Sequence, residues 1–243
     1  MAVAKPDQVE LPTGERMPIL HEDRSVLAID KPAGWLLVPS SWKQTGWNLQ
    51  AALESSVAAG DFWARSRSIR YLRFVHRLDG ETSGILLLAK SPGALRTFSE
   101  MFESRRMEKT YWAVARGVPE QVQWTCRLKL ATDPGKVAKM RVDTRHGKEA
   151  ETQFRVLQRR RATSLVEARP LTGRTHQIRV HLAASGHPVL GDQLYGALSG
   201  GHPELALRAV GLAYLDPFTR RAVEIRAPAE EFVRKYGFAL PSP

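Results

Sequence analysis

The order of apolar and polar positions predicts many short strands and few helices. Ser25–Asp30 reads as a strand that ends in the turn Lys31-Pro32-Ala33-Gly34. Asn48–Ala58 places Leu49, Ala52 and Leu53 on one helical face. Gly93–Arg106 does the same with Leu95, Phe98, Met101 and Phe102. Lys109–Ala115 reads as a buried strand. Gln121–Leu130, Val137–Val142, Glu151–Leu157 and Ser164–Ala168 follow as shorter ones, separated by turn residues such as Asp133-Pro134-Gly135 and His146-Gly147. Arg174–Ala184 is predicted helical and stops at Gly186-His187-Pro188. A glycine-rich loop at Gly196–Pro203, late strands at Ala206–Leu215 and Ala222–Ile225, and a helix at Ala229–Tyr236 complete the chain. Strands that follow one another directly point to an α+β fold around a largely antiparallel mixed sheet with flanking helices. There is no internal repeat or linker, so one domain over residues 21–243 is expected. Residues 1–20 hold three prolines, mixed charges and no clear period, and read as a partly ordered N-terminal arm.

One polar turn stands out from this pattern. Phe74-Val75 leads into His76-Arg77-Leu78-Asp79-Gly80-Glu81-Thr82-Ser83-Gly84, and the apolar run Ile85–Ala89 leaves it. Its carboxylate, Asp79, lies between two apolar runs that would hold it firmly. The simplest alternative is an Asx-turn in which Asp79 bonds its own backbone. Arg65, Arg67, Arg70 and Arg73 lead into the turn and Arg77 lies within it, with no lysine among them. They suggest a phosphate-binding edge, because guanidinium pairs with phosphate in two-toothed fashion; a solvated face is the alternative.

Composition narrows the partner. The chain has 243 residues, 43% of them hydrophobic, and a formal charge of +11. A core can form, and a polyanionic partner is favoured. No apolar run approaches the ~20 residues that span a bilayer, and Met1–Met17 lacks the apolar core of a signal peptide. A single cysteine, Cys126, excludes an internal disulfide and a multi-cysteine zinc site. These features suit a cytoplasmic protein without a membrane partner. Phosphate-loop, dinucleotide-binding, zinc-protease and nucleophile-elbow motifs are all absent, and His176 and His181 lie five apart, so no metal is expected. What remains is a held carboxylate in a basic protein, able to serve as nucleophile or base. If buried, it needs a cationic partner. Arg179 is the candidate, because Ile178 and Leu182 beside it should face the core. Trp35, Trp42 and Trp47 are read as core residues, with base stacking as the alternative.

Lys31-Pro32-Ala33-Gly34, His76–Gly84 and Gly173-Arg174-Thr175-His176-Gln177-Ile178-Arg179-Val180-His181-Leu182 together resemble the RluA-type RNA pseudouridine synthases. The likeness runs from about Val26 to Pro228. It implies an isomerase that converts specific uridines to pseudouridine in ribosomal or transfer RNA, with RNA as partner, no cofactor and a monomeric state. It makes Asp79 the essential aspartate and Arg179 its partner. Tyr111, in Lys109-Thr110-Tyr111-Trp112-Ala113, becomes the residue that stacks on the base and takes the C5 proton. His76 and Arg77 are expected nearest the flipped nucleotide, Leu207 in the wall of the uracil pocket, and Lys31 under the site. Arg208 stands where the family has histidine. Attack at C1′, attack at C6 and removal of a ribose proton all stay open for Asp79. Many members carry a small N-terminal S4-like RNA-binding domain, for which the ~25 residues before the first strand are too few. A non-catalytic RNA-binding module would explain the charge but give Asp79 no role. A metal-dependent nuclease needs more than one convergent carboxylate, and only Asp79 and Asp192 offer themselves.

Overall fold

The structure is a computed structural model that describes residues 4–37, 48–136, 138–196 and 204–241. The chain divides into two compact units, residues 1–106 with 214–227 and residues 107–213 with 228–243.

The first unit opens with strands β1 (Gln8–Glu10) and β2 (Arg16–Glu22), followed by β3 (Val26–Lys31). Helices α1 (Leu49–Ala59) and α2 (Phe62–Arg65) come next, then β4 (Arg73–Phe74), β5 (Ser83–Ala89) and helix α3 (Pro92–Glu103). The strands pair antiparallel in the order β1-β2-β3-β5, with β4 also on β5. β3 and β5 lie in register from Val26 opposite Ala89 to Lys31 opposite Gly84. Both are buried on both faces, which explains their continuous apolar runs. Helix α3 starts where Ser91 caps the amide of Ala94 and Pro92 takes the first turn.

The segment read as a loose arm is instead a β-hairpin that joins this sheet. Val9 and Met17 face each other across it and are fully buried, as is Leu11 beside the turn. The prolines and the short spacing obscured a period that only three buried residues carry. Helix α2 went unread because its four residues are too few for a period; Trp63 anchors it, donating to Ser56 Oγ at 2.8 Å.

The second unit begins with β6 (Glu108–Arg116), β7 (Gln123–Cys126), β8 (Leu130–Thr132) and β9 (Met140–Val142). It continues with β10 (Thr152–Arg159), β11 (Thr163–Pro170), helix α4 (Gln177–Ala184) and β12 (Leu207–Leu215). The antiparallel order is β12-β6-β11-β10-β7, with β8 and β9 as a separate hairpin. Its core gathers Val114, Phe154, Val166, Ile178, Leu182 and Leu207. The chain re-enters the first unit at Tyr214, forms β13 (Ala222–Arg226) there, and ends in the second with helix α5 (Glu230–Lys235).

The elements match the α+β pattern expected of the chain, with ends moved by a few residues. Trp35 is buried as expected of a core residue, while Trp42 and Trp47 lie outside the described residues. So do Val137 and all of the loop predicted at 196–203 except Gly196.

Truncating Met17 tests the hairpin. Met17→Ala should cost ~2–5 kcal/mol, as for other fully buried methionines, read as a lower midpoint in urea unfolding. An unchanged midpoint would restore the loose arm.

Candidate active site

The turn at Asp79 is held from below by a lysine. Lys31, at the end of β3, is fully buried. Its Nζ donates to the carbonyl oxygens of Pro32 (2.9 Å), Trp35 (3.0 Å) and Gly80 (2.9 Å). Gly80 O also accepts the Gly34 amide at 2.9 Å, so the Lys-Pro-Ala-Gly turn and the Asp79 turn are pinned at one oxygen. The turn closes on itself where Thr82 N donates to Asp79 O at 3.0 Å. Gly80 lies close under Leu36: a Cβ there would be 2.7 Å from Leu36 Cδ2, so any side chain would require Leu36 to shift. Gly84, the second residue of β5, has φ +107°, a conformation that side chains disfavour. Asp79 itself is half-buried.

Burial pulls the Lys31 pKa down to about 8, and the negative charge of Asp79 works against that shift. An ammonium group has three N–H donors for the three carbonyls, and the free amine has only two.

His76 faces the protein. Its Nε2 accepts the Leu87 amide at 3.1 Å, and its ring stacks on Phe102 of α3 with centroids 4.5 Å apart. These contacts tie the start of the turn to β5 and α3. Arg77 is exposed. The arginines before it do not form one edge. Arg67 is largely buried, donating to Glu22, the Trp63 carbonyl and the Pro6 carbonyl. Arg73 pairs with Glu54. Arg65 and Arg70 are exposed. A run of one residue type does not reveal which members turn inward.

In the second unit, Tyr111 lies on β6 opposite Ala168 of β11 and Ala209 of β12. Directly opposed residues share a face of a sheet. The phenol ring therefore has a methyl group on either side, and both alanines are buried. Leu207 is opposite Ala113, two residues along, and so lies on the same face as Tyr111. Arg208, on the other face, donates to the Pro228 carbonyl.

Arg179 is buried in α4, 1% exposed, and forms a two-toothed pair with Asp192, which is fully buried. Arg179 Nε and Nη2 lie 2.8 Å from Asp192 Oδ2 and Oδ1. Asp192 Oδ1 also accepts the amides of Leu194 and Tyr195. Sequence reasoning missed this role of Asp192. The available signal was an arginine on an apolar helix face, which calls for a carboxylate.

The rest of that motif is also a buried hydrogen-bond network. Gln177 Oε1 accepts from Thr172 Oγ1 (2.7 Å) and Arg174 N (3.0 Å). Gln177 Nε2 donates to Glu151 O and Thr152 Oγ1, both at 2.9 Å. His181 contacts Thr152 Oγ1 through Nδ1 (2.9 Å) and Leu128 O through Nε2 (3.0 Å). A carbonyl only accepts, so Nε2 carries the hydrogen. Burial lowers the pKa of His181 and keeps it neutral, leaving Nδ1 to accept from Thr152. His176 is left-handed, with φ +54°, which interrupts the helical backbone and is why α4 begins three residues later than the pattern predicted.

Lys31, His76, Arg77 and Asp79 thus belong to the first unit, and Tyr111, Arg179 and Leu207 to the second. A family profile described as RNA pseudouridylate synthase matches residues 25–184. Two relatives called "ribosomal large subunit pseudouridine synthase C" are each 34% identical. That from Vibrio vulnificus aligns over 89% of this chain and 67% of its own length. For that from Escherichia coli the shares are 89% and 68%. The chain therefore spans about two thirds of the length of these relatives. Among solved structures, human RNA pseudouridylate synthase domain containing 4 superposes with a TM-score of 0.73 at 25% identity, covering 92% of this chain and 94% of that one. Human RNA pseudouridylate synthase domain containing 1 gives 0.70 at 29% identity, covering 87% and 83%. The chain belongs to the RluA-type RNA pseudouridine synthase family, whose members are RNA isomerases. Among the described residues no helix is long and apolar enough to cross a membrane.

Two measurements test this geometry. Asp192→Ala should cost ~3–5 kcal/mol in chemical denaturation, because it strands a buried guanidinium. Replacing Arg179 and Asp192 together by apolar residues should cost much less. Equal losses would show that the charges are not desolvated.

Lys31 should shape the alkaline side of the pH profile. Above about pH 8 it loses its proton and one of its three carbonyl bonds, so kcat/KM should fall there. An unfolded lysine titrates near ~10.4. Between the two values the unfolded chain binds more protons, so the contribution of Lys31 to stability rises with pH. Lost activity while that contribution to stability rises marks the loop. A flat profile to pH 9.5 would remove Lys31 from it.

Proposed function

We propose that the chain isomerises specific uridines in ribosomal RNA, with transfer RNA as the alternative substrate. Membership of the family supports this reading, as do the ribosomal large-subunit names of its relatives. The observation that carries it in the structure is the half-buried Asp79 on a turn pinned by Lys31, Gly34 and His76. A carboxylate held this rigidly suits a reacting group better than a solvated turn residue.

The reaction breaks the bond from N1 to C1′ and makes a bond from C5 to C1′. C5 gives up its proton and N1 gains one, so the step is balanced without a cofactor. Asp79 acts at C1′ or C6, or removes a ribose proton. Tyr111 stacks on the base and takes the C5 proton, with the small side chains of Ala168 and Ala209 opposite it on the neighbouring strands. Leu207 adds an apolar wall on the same face. Arg179 supports the charge of Asp79, in addition to its pair with Asp192. The uridine leaves its stack to react, at a cost of a few kcal/mol, and Arg77 assists from the rim. Residues 21–243 act with the N-terminal hairpin as one catalytic domain, in a cytoplasmic monomer.

Release of the C5 hydrogen is the decisive test. RNA from a strain lacking the gene, tritiated at C5 of uridine, should release tritium to water in the presence of EDTA while its length is unchanged. Asp79→Asn should fold and bind RNA but release none, and Tyr111→Phe should release far less than wild type. Ribosomal and transfer RNA fractions, assayed separately, identify the substrate. Normal turnover by Asp79→Asn would overturn the assignment of Asp79, and no release by folded wild type would overturn the isomerase reading.

A further inference from the structure

Helix α3 ends in a way that its own stability does not explain. The Arg106 amide donates to Met101 O at 2.9 Å, and the Arg105 amide to Phe102 O at 3.3 Å. This is the Schellman arrangement, whose left-handed position is usually glycine. Here it is Arg105, with φ +59°. A residue with a Cβ is unfavourable there. Service to the helix dipole does not account for it. A guanidinium would meet the same carbonyls from within the last turn, without that backbone strain, and the last turn holds no basic residue. Arg105 and Arg106 are both exposed. Among the described residues, Arg106 donates from Nε to Ser104 Oγ at 2.8 Å.

The location gives this corner its meaning. Phe102, whose carbonyl holds the Arg105 amide, stacks its ring on His76. His76 is three residues before Asp79. The corner therefore adjoins the Asp79 turn, on the same unit as the exposed Arg77. The arginines that come just before the turn in sequence are partly spent, Arg67 in the interior and Arg73 on Glu54.

We infer that Arg105 and Arg106 form a phosphate-binding corner that grips the RNA backbone beside the target uridine. The inference rests on the isomerase reading for its substrate. Two adjacent guanidinium groups suit consecutive phosphates, which position RNA without reading its sequence. Glu103 precedes the pair by two residues and is exposed, so the corner is a local site rather than part of a uniform basic face.

Glycine at position 105 separates the two explanations, since it relieves the backbone while removing the charge. Arg105→Gly should melt at the same temperature as wild type or higher. Its affinity for a fluorescein-labelled uridine-loop hairpin RNA should fall several-fold, and the slope of log K against log salt should shrink by about one. Arg105→Lys should keep most of the affinity. Arg161→Ala, an exposed arginine of the second unit, serves as the charge control and should keep the wild-type slope. In the tritium assay Arg105→Gly should raise KM with kcat little changed. If Arg105→Gly binds and releases tritium like wild type, the corner is refuted while the isomerase reading stands. If wild type binds and loses affinity on Arg105→Gly but never releases tritium, the isomerase reading fails and the corner remains an RNA contact. A wild type that does not bind the hairpin RNA, or an Arg105→Gly variant that melts well below it, overturns the corner.

Discussion

One ammonium group out of contact with water organises the backbone around Asp79. Lys31 joins Pro32, Trp35 and Gly80 through their carbonyl oxygens, and these residues span both polar turns of the first unit. Burying a charge is costly unless it is fully hydrogen-bonded. Each of the three N–H groups of Lys31 has an acceptor, so the arrangement tolerates little displacement of any carbonyl. The close approach of Leu36 to Gly80 and the accepted Leu87 amide at His76 add to it. Rigidity at Asp79 thus comes from neighbours that never need to touch a substrate.

The second unit achieves a similar result with neutral groups. The side chains of Thr172, Gln177, Thr152 and His181 run as a chain of donors and acceptors from the Glu151 amide to the Leu128 carbonyl. A fully matched buried network specifies one arrangement, whereas a partly matched one destabilises the fold. It fixes the entry into α4, and α4 in turn carries Arg179 toward Asp192. Hence Gln177 and His181, within the long string Gly173–Leu182, serve backbone and hydroxyl groups.

Strands and helices were legible where periodicity is strong. Lys109–Ala115 and Gly93–Arg106 correspond to β6 and α3 within a few residues. The N-terminal hairpin escaped because its three buried residues are interrupted by a turn. At the candidate site, the sequence marked the turn and its aspartate. It did not show that His76 would bond a main-chain amide, because backbone partners leave no trace in side-chain spacing. Arg67 and Arg77 looked alike in sequence, and only the structure separates the interior one from the exposed one. Asp192 was noticed only as an isolated acid, since pairing across 13 residues depends on how the loop after α4 returns.

The division of the chain has a consequence for how the molecule is made. Neither unit is contiguous: the first needs residues 214–227, which emerge from the ribosome after all of 107–213. Phe98 of α3 packs edge-on against Tyr214, 5.6 Å between ring centroids, so a core aromatic of the first unit waits for a partner 116 positions later. During synthesis the segment bearing Lys31 and Asp79 therefore exists for a time without part of its core. Contacts between such distant positions slow folding, because a long loop must close before they form. The order of translation makes completion of the first unit a late event, so an unfinished chain carries the Asp79 turn before the fold that supports it is complete.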